Sequence, residues 1–364
     1  MRHPLNYPVV RLLSGGRQTV DGGQRSSVRG RLPVASLSNQ RGAALILVLW
    51  IFIFLFVVAF DFSASVREEA AAARRYGDET QGYYLALAGF ERGLYAFLQQ
   101  EANRRTQPNQ SFTDLFDGSW REERLGEGLY RVRLIDEGGK ININRADENL
   151  LRLIFTNLGV AEPRRTILVD SILDWRDADD LHRLNGAESD YYQSLPAPYS
   201  AKNGPLDTVE DLLWVRGVTA ALFFGSGDAG GAPGEEVAPV GLRQIFTVDS
   251  AIDRVNLRTA PAEVIHALTG TPLDKCRSFV EERKKLSDKS LADLLALLGA
   301  GTADPKLPLF IIANPSVISV EAEGRAGDSR ARRRVRGVVR SGGQERFEIL
   351  RWIDREQLSP EIQS

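Results

Sequence analysis

Arg41-Gly42-Ala43-Ala44-Leu45-Ile46-Leu47-Val48-Leu49-Trp50-Ile51-Phe52-Ile53-Phe54-Leu55-Phe56-Val57-Val58-Ala59-Phe60 decides how the rest of the chain is read. No side chain from Ala43 to Phe60 is charged, and Asp61 ends the run. At about 1.5 Å per residue a helix of this stretch covers roughly 27 Å, close to the hydrocarbon thickness of a bilayer. Residues 1–42 carry seven Arg against one Asp, although the whole chain has a formal net charge of -2, so the remainder is acidic. A basic flank beside an apolar span keeps that flank in the cytoplasm and sends the remainder across the membrane. An acidic body is also a poor match for nucleic acid.

Further classes fall away on composition. The single Cys276 excludes an intrachain disulfide. With only His3, His182 and His266 beside it, a Cys/His zinc site of the usual spacing is excluded as well. No P-loop, dinucleotide fingerprint, HExxH or nucleophile elbow is present, so no enzyme is expected.

Residues 1–40 are rich in Arg, Gly and Ser without apolar periodicity and read as a disordered or removed leader. In a secretory signal the small residue follows the apolar core; here Gly42 precedes it. A cut at Gly42 leaves the apolar helix on the mature protein, whereas an uncut chain is a plain signal anchor. Beyond the span, Tyr83, Tyr84, Leu87, Phe90, Leu94 and Phe97 recur at helical steps. The spacing predicts one long helix, apolar first and amphipathic later, with Gly77, Gly82, Gly89 and Gly93 allowing bends or close approach.

The body then alternates between two patterns. Gly128 to Ile135 alternates apolar and polar and reads as a strand, with Asp136-Glu137-Gly138-Gly139 as its turn. Lys140-Ile141-Asn142-Ile143-Asn144-Arg145-Ala146 precedes a helix starting near Asp147, and Arg254-Val255-Asn256-Leu257-Arg258-Thr259-Ala260 precedes another. Asn142 aligns with Asn256, Ala146 with Ala260 and Leu150 with Val264, which is an internal repeat. Both Asn residues suit bracing of the turn into the helix. Thr166 to Trp175 reads as a helix, and Asp207 as an N-cap with Glu210 three residues on. Trp214-Val215-Arg216-Gly217-Val218-Thr219 resembles the hairpin of a helix-hairpin-helix motif. From Ser316 the pattern becomes an antiparallel meander of three strands, Val317 to Ala322, Arg330 to Arg340 and Phe347 to Ile353, with Ser341-Gly342-Gly343 as a turn.

Arg41-Gly42 followed by Ala43 to Trp50 resembles the class III signal of type IV pilins and type II secretion pseudopilins. The resemblance implies cleavage between Gly42 and Ala43 and N-methylation of Ala43. Most of that family has Glu at the fifth mature position; Leu47 stands there instead, a feature of the K-type minor pseudopilin. A subunit at a fibre tip has no neighbour above it, and a carboxylate buried without a partner is costly. The run from Lys140 to Val218 resembles the same branch. It carries the Lys-Ile-Asn turn, Asp174-Trp175-Arg176-Asp177-Ala178-Asp179-Asp180, Gly186-Ala187-Glu188 with Tyr191-Tyr192, and the hairpin at Gly217.

The expected fold is therefore α+β: a pilin-like long N-terminal helix packed on an antiparallel sheet, with a large inserted all-α domain containing helix-hairpin-helix/SAM-like repeats. The expected divisions are a cleaved leader at 1–42, a transmembrane helix half at 43–66, and pilin-like parts at 67–139 and 308–364. A helical insertion at 140–307 fills the gap, with repeats 140–224 and 246–300 and a linker at 225–245. The resemblance implies a tip subunit in protein export, anchored in the inner membrane with its bulk in the periplasm. Its implied partners are the I- and J-type minor pseudopilins, the pseudopilus, the prepilin peptidase and a secreted substrate. The alternatives are a minor type IV pilin, or a membrane-anchored DNA-uptake protein gripping phosphate at Gly217 and Arg216; no cation follows Gly217 through Phe223.

Calcium is the cofactor expected. Asp177, Asp179, Asn185 and Glu188 occupy positions 1, 3, 9 and 12 of an EF-hand count, but Leu181 and His182 stand where a ligand and Gly are needed. A looser oxygen site is one reading. The other is a solvated acidic loop in which Asp177 and Glu188 pair with Arg176 or Arg183. Members of the K branch bind calcium, so the resemblance favours the first.

Overall fold

A computed structural model of the chain describes residues 40–106, 115–225, 240–285, 290–299, 307–343 and 346–354. Most of the expected leader and of the linker lies outside the described residues. Residues 1–68 and 69–364 are two separate units.

Helix α1 runs from Gln40 to Thr106 without a proline. Between Leu45 and Phe60 its large apolar side chains are all exposed, from 45% at Val48 to 73% at Phe56. Apolar area so exposed is unfavourable in water by about 25 cal/mol per Å². Among the described residues this is the one helix long and apolar enough to cross a membrane.

Further along, α1 becomes a packing helix. Ala86, Phe90, Leu94 and Phe97 are buried at three- and four-residue steps and, with Leu85, form one face. That face lies on a five-stranded antiparallel sheet of order β1-β2-β7-β8-β9. The strands are β1 (Arg121–Leu125), β2 (Gly128–Asp136), β7 (Val317–Arg325), β8 (Arg332–Gly343) and β9 (Arg346–Asp354). Tyr130, Val132 and Leu134 of β2 and Ile318, Val320 and Ala322 of β7 complete the core. Helix and sheet approach through glycine: a Cβ on Gly89 would stand 2.8 Å from Tyr130 Cδ2, and one on Gly93 2.8 Å from Val132 Cγ2. Gly77 meets nothing within 4 Å, so no approach within the chain explains it.

The outer face of the central strand β7 is charged and also buried. Glu321 and Glu323 point there from the central β7 at 5% and 3% exposure. Arg133 bridges Glu321 at 2.6 Å and Arg131 bridges Glu323 at 2.5 Å, and both guanidinium groups stack over Trp120. Strand β1 carries no alternation because it is a charged edge, Arg-Glu-Glu-Arg, and such a pattern gives no sequence signal. The turn expected at Ser341-Gly342-Gly343 is instead the end of β8, with Gly343 opposite Arg346 on β9.

Strands β2 and β7 are neighbours in the sheet, yet 137–316 separates them in sequence. The helical domain is inserted there, with α2 (Glu148–Asn157), α3 (Arg164–Arg176), α7 (Ala262–Thr269) and α8 (Leu273–Lys284) as its main helices. The duplication is visible hydrogen bond by hydrogen bond. Strand β3 (Ile141–Asn142) pairs in parallel with β4 (Phe246–Thr247), and β5 (Val255–Asn256) with β6 (Phe310–Ile311). Ala146 N donates to Asn142 O at 3.0 Å and Ala260 N to Asn256 O at 2.9 Å. Ile143 N donates to Thr247 O and Leu257 N to Ile311 O, both at 2.9 Å. An arginine serves each copy, half-buried in the first and buried in the second: Arg176 donates to Ile143 O, and Arg283 to Leu257 O at 2.8 Å. With so little solvent around it, Arg283 has its pKa lowered to about 10 by burial.

Sheet and insertion meet at Asp136 and Glu137, where the chain enters a wholly buried 3-10 turn, Glu137–Gly139. Glu137 Oε2 accepts from Thr247 Oγ1 at 2.6 Å, on β4 of the insertion. Its Oε1 accepts from Ser319 on β7 and from Arg336 on β8, the latter at 3.1 Å. Burial alone would raise this carboxyl; Lys140 and Arg336, with the Ser319 and Thr247 hydroxyls, hold it down at about 2. Asp136 accepts from Asn256 Nδ2 at 2.8 Å and Thr259 Oγ1 at 2.6 Å, but burial outweighs these bonds and raises its pKa.

A carboxyl whose folded pKa lies below its unfolded value of about 4.3 stabilises above that value and loses the contribution as pH falls toward 2. Glu137→Gln should cost about 3–5 kcal/mol at pH 7, because Arg336 and Lys140 lose a buried partner. Denaturant titrations at pH 7 and pH 2.5 check this: the gap between the variant and the unaltered protein should shrink at the lower pH.

Candidate metal centre

The acidic loop begins where α3 stops. Asp177 caps that helix, its N–H bonding Leu173 O at 3.1 Å, and Asp179 Oδ1 turns the chain by accepting from Leu181 N at 2.9 Å. The loop returns over Asp174, which is wholly buried. Asp174 accepts from Arg183 at the backbone N–H (3.1 Å) and at Nη1 (2.5 Å). A Cβ on Gly186 would collide with the Asp174 carboxylate, so only glycine lets the loop close here. Arg216 Nη1 holds Gly186 O at 2.9 Å, and Glu188 then leads into α4 (Ser189–Gln193).

Three carboxylates converge: one oxygen each from Asp177, Asp179 and Glu188 lie within 4.8 Å of one another. Glu188 sits at the N-cap of α4 yet makes no capping bond. It is 1% exposed, and neither of its oxygens has a hydrogen-bond partner. Asp177 Oδ1 is likewise buried and unpartnered. Burial, then the charges of Asp174, Asp177, Asp180 and Asp179, push the Glu188 carboxyl up to about 7. Converging anionic oxygens with no donor are unfavourable unless a proton or a cation lies between them. An all-oxygen set of this kind suits a hard divalent ion, calcium or magnesium, over a thiophilic one.

Asn185 is placed differently from these three. Its N–H and Nδ2 donate to Asp170 Oδ2 at 3.2 and 3.4 Å, bracing the return of the loop. Of the pairings weighed for a solvated loop, Arg183 with Asp177 forms at 2.7 Å. Glu188 takes no arginine, and Arg176 turns to the carbonyls of Ile143 and Ala146.

The other residues singled out in the sequence lie elsewhere. Asn142 Oδ1 accepts from Asn144 N at 2.9 Å and Asn256 Oδ1 from Arg258 N at 3.3 Å. Their amide nitrogens reach Ser250 O and Asp136. Gly217 has φ +86°, which favours glycine, and packs toward Leu168 of α3. Gly42 and Ala43 fall in the first turn of α1, and Leu47 is exposed just beyond. The N-cap expected at Asp207 is one residue later: Thr208 and Asp211 bond side chain to side chain at 2.7 Å. Lys202 takes the Asp207 carboxylate at 2.7 Å. The pairing of buried Asp174 with Arg183 escaped the sequence reading, although Asp170, Asp174 and Asp177 stand at four- and three-residue steps on one face of a helix.

A long apolar-then-amphipathic helix laid on an antiparallel sheet, with a duplicated helical insertion between two of its neighbouring strands, defines a pilin-like fold. Residues 132–224 match the family model described as type II secretion system (T2SS), protein K. Type II secretion system protein K of Pectobacterium carotovorum subsp. carotovorum is 26% identical over 205 residues, covering 51% of this chain and 61% of the relative. That of Klebsiella pneumoniae is 31% identical over 202 residues, covering 50% and 60%. The chain thus spans about three-fifths of the length of these relatives. A solved structure, the GspK-GspI-GspJ complex of the type 2 secretion system of enterotoxigenic Escherichia coli, contains a chain of the same fold. It aligns with TM-score 0.51 and 15% identity over 76% of this chain and 100% of its own. Over the matched residues the chain is thus similar to type II secretion system protein K.

Because the Glu188 carboxyl is raised toward 7, its ionised form destabilises the metal-free fold above that pH. Glu188→Gln should therefore raise the melting temperature in chelator at pH 8 by about 2–4 °C, the effect of about 1 kcal/mol in a body of this size. Thermal melts of both proteins in chelator at pH 8 and pH 5 check this; the difference should shrink at the lower pH.

Proposed function

We propose that this protein is a minor pseudopilin of a type II secretion system. It is a structural subunit, not an enzyme, which stands at the pseudopilus tip, helps to initiate assembly and serves protein export across the outer membrane. The observation that carries this reading is α1 itself, whose exposed apolar segment continues without a break into a face packed on a pilin-like sheet. Before assembly the apolar segment anchors the chain once in the inner membrane, with the body in the periplasm. Prepilin peptidase cuts between Gly42 and Ala43, and the span becomes a packing helix of the fibre. Leu47, lacking a carboxylate, and the bulk of the insertion both suit a subunit with nothing stacked above it. The partners are the I- and J-type minor pseudopilins, the kinds of protein found with the structural neighbour.

In this reading the acidic loop holds calcium through Asp177, Asp179 and Glu188, fixing the connection between α3 and α4 on the exported side. A DNA-uptake role has less support. Arg216, the cation beside the Gly217 hairpin, is engaged by Gly186 O and stacks over Tyr191 with its guanidinium carbon 4.5 Å from the ring centroid.

Two measurements test the proposal. Mass spectrometry of the membrane-extracted protein should find a mature N-terminus at methylated Ala43; an intact leader would sink the assignment. Detergent extracts should yield the I- and J-type pseudopilins with this chain, whereas co-purification with type IV pilus subunits alone would favour the minor pilin alternative.

A further inference from the structure

The three converging carboxylates are held to different degrees. Asp179 has one oxygen fixed by the Leu181 N–H. Glu188 has neither oxygen bonded. Asp177 is divided: Oδ2 accepts from Arg183 Nη1 at 2.7 Å, while Oδ1 is buried without a partner. The same Arg183 Nη1 reaches Asp174 Oδ1 at 2.5 Å. Asp174 cannot move aside, since it is wholly buried beneath Gly186 and also takes the backbone N–H of Arg183. Orientation therefore passes along a chain of fixed groups, from Asp174 to Arg183 to Asp177.

We propose that Arg183 is the positioning residue of the cation site. Anchored by Asp174, it ties down Oδ2 of Asp177 and so presents Oδ1 to a divalent ion shared with Asp179 and Glu188. The inference rests on the cation reading of this loop given above.

Two effects of Arg183 oppose each other, and their signs differ. As a positive charge it repels a cation, so its removal would tighten binding. As the group that orients a ligand oxygen it favours binding, so its removal would loosen it. The repulsion is weakened by solvent, because the Arg183 side chain is 39% exposed. Groups that orient metal ligands are commonly worth about 10–100-fold in affinity. Orientation should win.

The test is calcium titrated calorimetrically into the full chain in detergent, with melts in chelator run alongside. Arg183→Gln should bind calcium about tenfold more weakly or worse. Arg183→Lys should stay within about threefold of the unaltered protein, because one Nη1 atom makes both carboxylate contacts and a lysine Nζ offers one nitrogen for the same place. Equal or tighter binding by Arg183→Gln would overturn the assignment. So would a folded Arg183→Lys that has lost tenfold or more, a result that decides the matter even if the glutamine variant does not fold. A residue that merely supports the loop would lower the chelator melt and leave the affinity of the folded protein unchanged, which also counts against positioning. Absence of calcium heat with the unaltered chain would remove the cation reading itself, a separate outcome from any difference between variants.

Discussion

The buried carboxylate of Glu137 joins the sheet to the inserted helical domain. It receives hydrogen bonds from Thr247 in the insertion and from Ser319 and Arg336 in the sheet. Ionised and without exposure, it is tolerable only because those donors and Lys140 converge on it. Asp136 next to it does the same work for the second repeat through Asn256 and Thr259. Bonds of this sort are directional. An apolar junction would hold the insertion against the sheet in several orientations, whereas this one specifies one.

The sheet to which the insertion is attached is unusual in burying both faces of its central strand. One face of β7 is apolar and receives α1; the other carries Glu321 and Glu323 among arginines. Trp120 lies beneath the guanidinium groups of Arg131, Arg133 and Arg334. Paired charges stacked on one aromatic ring bury the two glutamates of β7 without an apolar core on that side.

The acidic loop shows a third use of buried charge. At Glu137 the donors outnumber the acceptors; both oxygens of Glu188 and Oδ1 of Asp177 meet with no donor. The same physics gives opposite results, a carboxyl held low in the first case and one pushed high in the second. The first is a complete structural joint. The second is the arrangement expected of a site that a cation completes, and it is built from neighbours in sequence, Asp177, Asp179 and Glu188, held in place by Asp174 and Arg216.

Much of this chain was legible before folding because it depends on local chemistry. The apolar run to Phe60, the alternation in β2 and the repeated Asn turns at Asn142 and Asn256 follow from periods of 3.6 and 2 and from turn residues that act over a few positions. Asp177, Asp179 and Glu188 were visible as an acidic cluster for the same reason. What remained hidden depends on partners far away in sequence. Glu137 reads as a turn residue until Ser319 and Arg336, nearly 200 positions later, surround it. Glu321 reads as an exposed strand residue until Arg133 and Arg336 close over it. Arg176 and Arg283 look like helix-surface cations until the turns of their own repeats bring Ile143 O and Leu257 O to them. The sequence by itself determined the long helix, the alternation of β2, the span and the location of the acidic loop, since each is set by neighbouring residues. Only the tertiary structure decided which charges are buried and which are paired, because burial and pairing are properties of chain segments brought together from a distance.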